Sequence, residues 1–313
     1  MDIHAALLYG NRVLRSVSKS FMLDTQLLLA RAMQQSNTFL FTHPEKKLTP
    51  KQEQIFRMHI ERRKKHEPVA MILGIKEFFG LTFHVNRHVL TPRPETEIMV
   101  EEVITLLHDS PKRHYTLIDV GTGTGCIPIA ILSALSHQDR KRLLTYAIDI
   151  SKRAVVTAQQ NIELHALERN IQLLSGNLLI PYFHHVNTRL KSQKHIIITA
   201  NLPYLSEKIY DSVDTDIKNF EPQKALLGGT DGLVYYRKLL KHIKRLNCQD
   251  LTAFFEIDPS QENAMKRMIT SVFPQAQIHT RKDLANRARV LKITFRGTKR
   301  RTGVDKRGLD KIK

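Results

Sequence analysis

A side-chain amide, a proline and an aromatic ring follow one another at the end of the apolar run IITA, in the segment NLPY. Asn201 carries a neutral side-chain oxygen, and the peptide carbonyl of Leu202 is a second acceptor. Pro203 aims that carbonyl, because the residue before a proline is restricted to extended conformations. Tyr204 adds a flat ring. Such a tetrad is suited to hold a planar NH₂ group, although an ordinary turn is the alternative because Asn-x-Pro is common in turns.

The glycine-rich segment DVGTGTGC is a second candidate site, because glycines let the backbone approach a ligand without Cβ clashes. The dinucleotide pattern G-x-G-x-x-G does not fit, since Cys126 and Pro128 occupy the place of its third glycine, and the Gly-Lys-Ser/Thr of a P-loop does not follow. The segment resembles the D-x-G-x-G-x-G loop of Rossmann-like methyltransferases, which implies S-adenosylmethionine as ligand. The resemblance assigns to the cofactor Asp119, Gly121, Thr122, Gly123, Thr124 and Gly125.

An acidic residue follows at a distance typical of nucleoside-binding folds. Asp149 ends the run LLTYAID, 24 residues after Gly125, and its carboxylate can accept hydrogen bonds from both ribose hydroxyls. Alternatively, Asp149 caps the next helix, although Ser151 could do that equally well. The pairing of the glycine turn with an acid favours a nucleoside-containing cofactor.

Methyl transfer to an amide or ring-attached amine is difficult, because the nitrogen lone pair is delocalised. The site must hold the NH₂ group in line with the methyl group and accept both of its hydrogens. Since the positive charge of a sulfonium donor disappears during transfer, alignment should supply most of the acceleration. We therefore predict a catalytic tetrad of Asn201, Leu202, Pro203 and Tyr204, with Asn201 touching both cofactor and substrate.

The elements around these residues alternate between strand and helix. The β-type runs YTLIDV, LLTYAIDI, IQLLS, HIIITA and LTAFFEI are separated by helix-like segments such as SKRAVVTAQQNIELHAL, and AQIHTRKD and RARVLKITF complete the unit. This alternation predicts an α/β fold with a parallel sheet and helices on both faces. With the glycine turn, Asp149 and the tetrad in that order, the unit resembles the Rossmann-like sheet of class I methyltransferases. A small helical N-terminal domain precedes it, with a helix beginning at Thr49 and Pro50 and supported by Glu53. The expected segments are a helical domain (1–75), a β-hairpin linker (76–94), a methyltransferase domain (95–295) and a basic, disordered tail (296–313).

Composition limits the class of protein. The chain has 49 Lys and Arg residues against 30 Asp and Glu, and its net charge of +19 would attract acidic partners or nucleic acid. The tail holds eight basic and two acidic residues, so it is either a solvated terminus or a tether to RNA or ribosomes. Cys126 and Cys248 have no metal-site spacing, so no metal site is expected. Apolar runs too short to span a bilayer predict a cytoplasmic protein without membrane contact.

Motifs along nearly the whole chain resemble the PrmC/HemK family of glutamine N5-methyltransferases. They comprise ERRKKHEPVAMILGIKEFFGLTF, the linker VLTPRPETE, the tetrad, FEPQKALLGGTDGL and KDLANRARV. The resemblance implies methyl transfer from S-adenosylmethionine to the glutamine of the Gly-Gly-Gln loop of class I release factors, which the helical domain would dock. It also implies that Asn201 and Tyr204 bind the substrate amide, that Arg93 and Glu97 brace the linker or contact the substrate, and that Asn177 and Leu178 lie near the adenine. A surface ion pair is the other explanation for Arg93 and Glu97.

Three positions depart from the family pattern. Leu202 replaces the first proline of Asn-Pro-Pro-Tyr, Asn177 replaces an acid, and Asp258 replaces a glycine, whereas Gln261 is kept. The spelling NLPY also occurs in rRNA adenine dimethylases, so an adenine N6-methyltransferase acting on rRNA or DNA is an alternative function. A basic RNA- or ribosome-binding protein with a vestigial cofactor fold is a third. The N–H group that Leu202 restores must also find a partner.

Overall fold

The computed structural model describes residues 1–110, 113–187, 195–246, 248 and 250–296. The predicted disordered tail, apart from its first residue, lies outside these ranges. Within them, no helix is both long and apolar enough to cross a membrane.

Five helices with a core of their own form the N-terminal region. They are α1 (Ile3–Leu14), α2 (Phe21–Met33), α3 (Asn37–Thr42), α4 (Pro50–Lys64) and α5 (Val69–Leu73). Helix α4 begins with the expected cap: Thr49 Oγ1 accepts from the N–H of Gln52 at 3.3 Å, and Gln52 Oε1 accepts from the N–H of Thr49 at 2.9 Å. The partner in this capping box is Gln52 and not Glu53, because Gln52 occupies the third helical position; Glu53 is instead paired with the N-terminal amine of Met1 at 2.7 Å.

A two-stranded antiparallel hairpin of β1 (Ile75–Phe78) and β2 (Leu81–His84) follows the helices. Its turn places Phe79 and Gly80 in the left-handed region, with φ values of 51° and 69°. Phe78 and Phe83 are buried in one core of the large sheet described next, so the hairpin is packed against that sheet and its helices.

A seven-stranded sheet forms the centre of the remaining chain, in the order β5-β4-β3-β6-β7-β9-β8. Its strands are β3 (Tyr115–Val120), β4 (Leu143–Asp149), β5 (Ile171–Ser175), β6 (His195–Ala200), β7 (Asp250–Glu256), β8 (Gln277–Lys282) and β9 (Ala288–Arg296). The predicted α/β class is confirmed, but the parallel orientation stops at β7. Strand β9 runs antiparallel to both β7 and β8. The tight β8–β9 connection, in which Asp283 accepts from the N–H of Arg287, reverses the chain without a crossover helix.

Helices cover both faces of this sheet. They are α6 (Glu97–His108), α7 (Cys126–Ala134), α8 (His137–Arg140), α9 (Lys152–Leu164), α10 (Ile180–Asn187), α11 (Glu207–Asp211), α12 (Thr215–Phe220), α13 (Val234–Ile243) and α14 (Glu262–Val272), with 3₁₀ turns at Pro94–Thr96, Gln223–Ala225 and Pro259–Gln261. Helices α6, α7 and α9 contribute to the core on one face, and α10, α13 and α14 to the core on the other.

A buried ion cluster joins the helical region to α12. Arg63 on α4 lies between Asp24 at 2.8 Å and Asp216 at 2.7 Å, and the side chain is only 8% exposed. Asp216 also contacts His66 Nδ1 at 2.9 Å. One guanidinium therefore neutralises two carboxylates from distant parts of the chain.

Replacing Arg63 by methionine is expected to lower the free energy of unfolding by about 3–5 kcal/mol, because two carboxylates lose their counter-charge in a largely buried site. Urea unfolding followed by circular dichroism measures the loss. The matched control is Arg57→Met, since Arg57 is 45% exposed and pairs with Glu53 one helical turn away. We expect that control to change stability little. Equal effects of the two substitutions would contradict the role given to the cluster.

Candidate active site

The candidate residues meet at one edge of the sheet. Strand register places Val120 beside Ile148 and Ala200, and Asp149 beside Ser175. Because these strands are parallel, the segments that follow them leave the sheet on the same side. Four segments therefore lie together at the carboxyl-terminal edge of the sheet: the glycine turn after β3, Asp149, the segment after β5 and the tetrad after β6.

The glycine turn is tied to the neighbouring strand. The N–H groups of Gly121 and Thr122 donate to the carbonyl of Ile148 at 2.8 and 2.9 Å. Gly121, Gly123 and Gly125 all have positive φ, of 77°, 57° and 78°. Glycine is needed in this backbone path because the left-handed region disfavours other residues.

Asp149 is held against that turn. Its Oδ2 accepts from the N–H of Gly123 at 2.9 Å, and its Oδ1 accepts from the N–H of Ser151 at 2.8 Å. Ser151 Oγ accepts from the N–H of Ala154, so the serine caps α9. A carboxylate has about four acceptor positions, and the two that Asp149 leaves unused suit a pair of hydroxyls. Burial raises the pKa of Asp149.

Asp119 lies beneath the glycine turn and is 1% exposed. Thr199 Oγ1 donates to its Oδ1 at 2.7 Å. The other oxygen, Oδ2, makes no hydrogen bond of standard geometry with any described residue. Burial raises the pKa of Asp119 to about 6. The hydroxyls of Thr122 and Thr199 oppose that rise, so the donors near this carboxyl group come from the glycine turn and from β6.

Two acceptors of the tetrad receive no hydrogen bond from the described part of the chain. Asn201 Nδ2 donates to Thr96 Oγ1 at 3.2 Å, which leaves Oδ1 without a donor among the described residues. The carbonyl oxygen of Leu202 also receives no hydrogen bond from that part of the chain. Two neutral acceptors next to each other are therefore available to a ligand.

Leu202 joins the tetrad to the glycine turn. Its side chain is 4% exposed, and a Cβ atom built on Gly121 would lie 2.9 Å from its Cδ2. Its N–H donates to the hydroxyl of Tyr236 at 3.4 Å. That hydroxyl donates in turn to the carbonyl of Glu256. Leu202 has an N–H group that a proline at this position would lack, and the hydroxyl of the buried Tyr236 accepts a hydrogen bond from it.

Tyr204 is held from below by a glycine loop and an amide. Its carbonyl accepts from Gln261 Nε2 at 2.7 Å, and its hydroxyl donates to Glu256 Oε1 at 3.4 Å. A Cβ atom on Gly232 would lie 2.1 Å from that carbonyl oxygen. Asp258, which departs from the family pattern, accepts from the N–H of Ser260 and caps the turn that carries Gln261.

Sequence reasoning missed several residues that support the tetrad: Thr96, Gly228, Gly232, Tyr236 and Glu256. The quoted motif segments contained Thr96 and both glycines without assigning them a role. Tyr236 lies on the apolar face of an amphipathic helix and Glu256 ends an apolar strand, and neither pattern shows that the hydroxyl or carboxyl group contacts a distant loop.

Arg93 and Glu97 are both engaged within the protein. Arg93 Nη2 contacts Glu221 Oε2 at 2.7 Å, and the Glu221 side chain is 2% exposed, so this is not a surface ion pair. Glu97 Oε1 accepts from the N–H of Phe79 at 2.8 Å in the hairpin turn. These contacts fit the bracing role, and a contact of either residue with substrate stays a prediction.

The segment after β5 lies beside Asp149, because the N–H of Gly176 donates to the Asp149 carbonyl at 2.9 Å. Asn177 is exposed, whereas Leu178 has a φ of 50° and its side chain is buried in the core. Contacts of both residues with an adenine ring stay predictions. Ile150, directly after Asp149, is 70% exposed and offers an apolar surface that sequence reasoning overlooked.

The doubly wound sheet with a glycine turn, an acid and an Asn-containing tetrad at one edge is the arrangement of a class I methyltransferase. Two family models match the chain: "PrmC N-terminal domain" over residues 5–74, and "Ribosomal protein L11 methyltransferase (PrmA)" over residues 98–225.

Relatives narrow this class to one family. The chain is 31% identical to "Release factor glutamine methyltransferase" of Clostridium botulinum, over 93% of this chain and 99% of the relative. It is 32% identical to the protein of that name from Enterococcus faecalis, over 79% and 83% of the two chains. The chain belongs to the release factor glutamine methyltransferase family. In fold, it is similar to the hMettl16 catalytic domain solved with a MAT2A 3'UTR hairpin, at a TM-score of 0.51 and 12% identity, over 79% of this chain and 81% of that one.

Proposed function

We propose that this enzyme transfers a methyl group from S-adenosylmethionine to the side-chain amide nitrogen of the glutamine in the Gly-Gly-Gln loop of class I release factors. The observation that carries the proposal is the pair of unused acceptors, Asn201 Oδ1 and the carbonyl of Leu202, beside the glycine turn. An amide NH₂ group has two hydrogens to donate, and the pair matches it in number and charge.

The cofactor would bind along the turn and the neighbouring strand end. Asp149 would accept from the ribose hydroxyls, Asp119 would support the turn from beneath, and Ile150 would lie against the base. The positive-φ glycines leave room for a ligand to approach the backbone. When bound, the cofactor supplies an electrophilic methyl group on a sulfonium sulfur.

The tetrad would position the nucleophile. Asn201 Oδ1 and the Leu202 carbonyl would each accept one hydrogen of the substrate NH₂, and the ring of Tyr204 would keep the amide plane in place. These contacts direct the nitrogen lone pair towards the methyl group and withdraw no electrons from it. As the N–C bond formed, the S–C bond of the sulfonium would break and leave a neutral thioether. The nitrogen would then release one proton to solvent, so that the product is a neutral methylated amide.

The helical N-terminal region, which matches the PrmC N-terminal domain, is proposed to dock the release factor in the cytoplasm. We also propose a contact of the basic tail with ribosome or RNA, supported only by its charge, because residues 297–313 lie outside the described part of the chain.

A transfer assay with labelled cofactor tests the function. Three substrates are offered: purified release factor, release factor with its loop glutamine replaced, and total rRNA. We expect label only on the unaltered release factor. Label on RNA and not on release factor would favour the adenine N6-methyltransferase, for which the net charge of +19 is the supporting observation.

A further inference from the structure

We propose that Thr96 and Glu256 are positioning residues that decide which end of the Asn201 amide faces the substrate. This inference rests on the proposed role of Asn201 as an acceptor for an NH₂ group. Neither residue was assigned a role by the sequence, and Glu256 lies on β7, whereas Thr96 immediately precedes α6.

Three side chains form a directed hydrogen-bond chain. Asn201 Nδ2 donates to Thr96 Oγ1 at 3.2 Å, and Thr96 Oγ1 donates to Glu256 Oε2 at 2.6 Å. Thr96 and Glu256 are each 2% exposed, so bulk water does not compete for these bonds. The two buried members, Thr96 and Glu256, both have hydrogen-bond partners, which favours a single arrangement at that end of the network.

The direction of the chain follows from proton counting. An ionised carboxylate has acceptors only, so the single hydroxyl proton of Thr96 must point to Glu256. The threonine oxygen can then only accept from Asn201, and it selects the NH₂ end of the amide. Asn201 Oδ1 is therefore turned towards the cleft. The reversed amide would present its own NH₂ to the substrate NH₂, and transfer would lose one acceptor.

The surroundings of Glu256 make its protonation state sensitive to pH. Tyr204 donates to the second oxygen at 3.4 Å, and no described cation forms a salt bridge with the carboxyl group, because Arg289 is paired with Asp283 and Glu95. Burial raises the pKa of Glu256 to about 7. The titratable or charged groups that influence this carboxyl, or are influenced by it, are Glu95, Cys126, Tyr204, Tyr236 and Arg289.

Protonation of Glu256 should allow the side-chain amide of Asn201 to adopt either orientation. Below a pH of about 7 the carboxyl group is increasingly neutral and can donate to Thr96, whose own proton can then turn to Asn201 Oδ1. Both amide orientations become compatible with the network. The rate of transfer should therefore rise as the pH rises through about 7, and Glu256→Gln should remove this acid limb.

Two matched substitutions at position 96 test the chain. Thr96→Val keeps the shape and removes the hydroxyl, whereas Thr96→Ser keeps the hydroxyl. We expect the valine variant to lose kcat by roughly 10- to 100-fold, with KM for release factor and affinity for S-adenosylmethionine within about twofold of wild type. The serine variant should stay within about threefold of wild-type kcat. Equal kcat values in correctly folded valine and serine variants would overturn the proposal.

A spectroscopic measurement checks the inference without any methyl transfer. In cofactor-free protein labelled with ¹⁵N-asparagine, the Asn201 side-chain signals are identified by their loss in Asn201→Asp. They should titrate near pH 7 in wild type, stop titrating in Glu256→Gln, and move in Thr96→Val but not in Thr96→Ser. If the Asn201 signals titrate but the transfer assay leaves release factor unlabelled, the proposed function is rejected and this inference is not. If release factor is labelled but the Asn201 signals respond neither to pH nor to the substitutions, this inference is rejected and the proposed function is not.

Discussion

Replacing Asn201 by alanine is expected to abolish methyl transfer while leaving binding of S-adenosylmethionine within a few-fold of wild type. The alanine removes one of two acceptors that hold the substrate nitrogen, and loss of one such preorganised group commonly costs about 10²–10³ in kcat. Cofactor binding should persist because the turn and Asp149 are held by their own backbone contacts, which do not involve Asn201.

Single-turnover transfer and calorimetry measure the two halves of this prediction. Asn263→Ala is the matched control, because Asn263 is exposed on α14 and makes no contact with the tetrad. Turnover of the Asn201 variant equal to that of the control would show that the amide is not an acceptor in the reaction.

The second large effect is expected from Gly232→Ala. A Cβ atom there would lie 2.1 Å from the Tyr204 carbonyl oxygen and 2.3 Å from Gln261 Nε2. The backbone of Tyr204 must shift, and it carries the carbonyl of Leu202 with it. We expect kcat to fall by about 10²-fold, since a displacement of roughly 1 Å can have that effect, and stability to fall by about 1–3 kcal/mol or more.

Gly80→Ala separates contact from backbone strain. Gly80 has a φ of 69°, close to the 74° of Gly232, but nothing lies within 4 Å of a Cβ atom built on it. Both substitutions incur the strain of a positive φ, whereas only Gly232→Ala overlaps with neighbouring atoms. Urea unfolding and kcat are measured for both. If the two variants lose the same amount of stability and kcat, the close approach of Gly232 to Tyr204 does not contribute to activity.

Features encoded by neighbouring residues could be predicted from the sequence. The strand ending in Val120, the glycine turn and the strand ending in Ala200 each have a local pattern of apolar runs and turn residues. Strand alternation then brings these segments to one edge, because consecutive parallel strands share a direction. The unused acceptors of Asn201 and Leu202 agree with what the tetrad suggested.

Features that depend on distant pairs could not be predicted. Thr96 meets Glu256 across 160 positions of sequence, and Tyr236 accepts from the N–H of Leu202 from the buried face of an amphipathic helix. The antiparallel direction of β9 likewise depends on a tight connection rather than on the pattern of the strand itself. Such contacts form only in the packed fold, and the short-range periodicity of the sequence does not encode them.

The Arg63 cluster limits how this enzyme can be rebuilt from parts. Its cation belongs to the helical region, whereas Asp216 belongs to the segment that follows the tetrad. A chimaera that combined the helical region of another family member with this catalytic region would leave Asp216 facing an unmatched surface, unless the incoming α4 also brought a cation at the position of Arg63. In module exchange, therefore, these two residues have to be inherited as a pair.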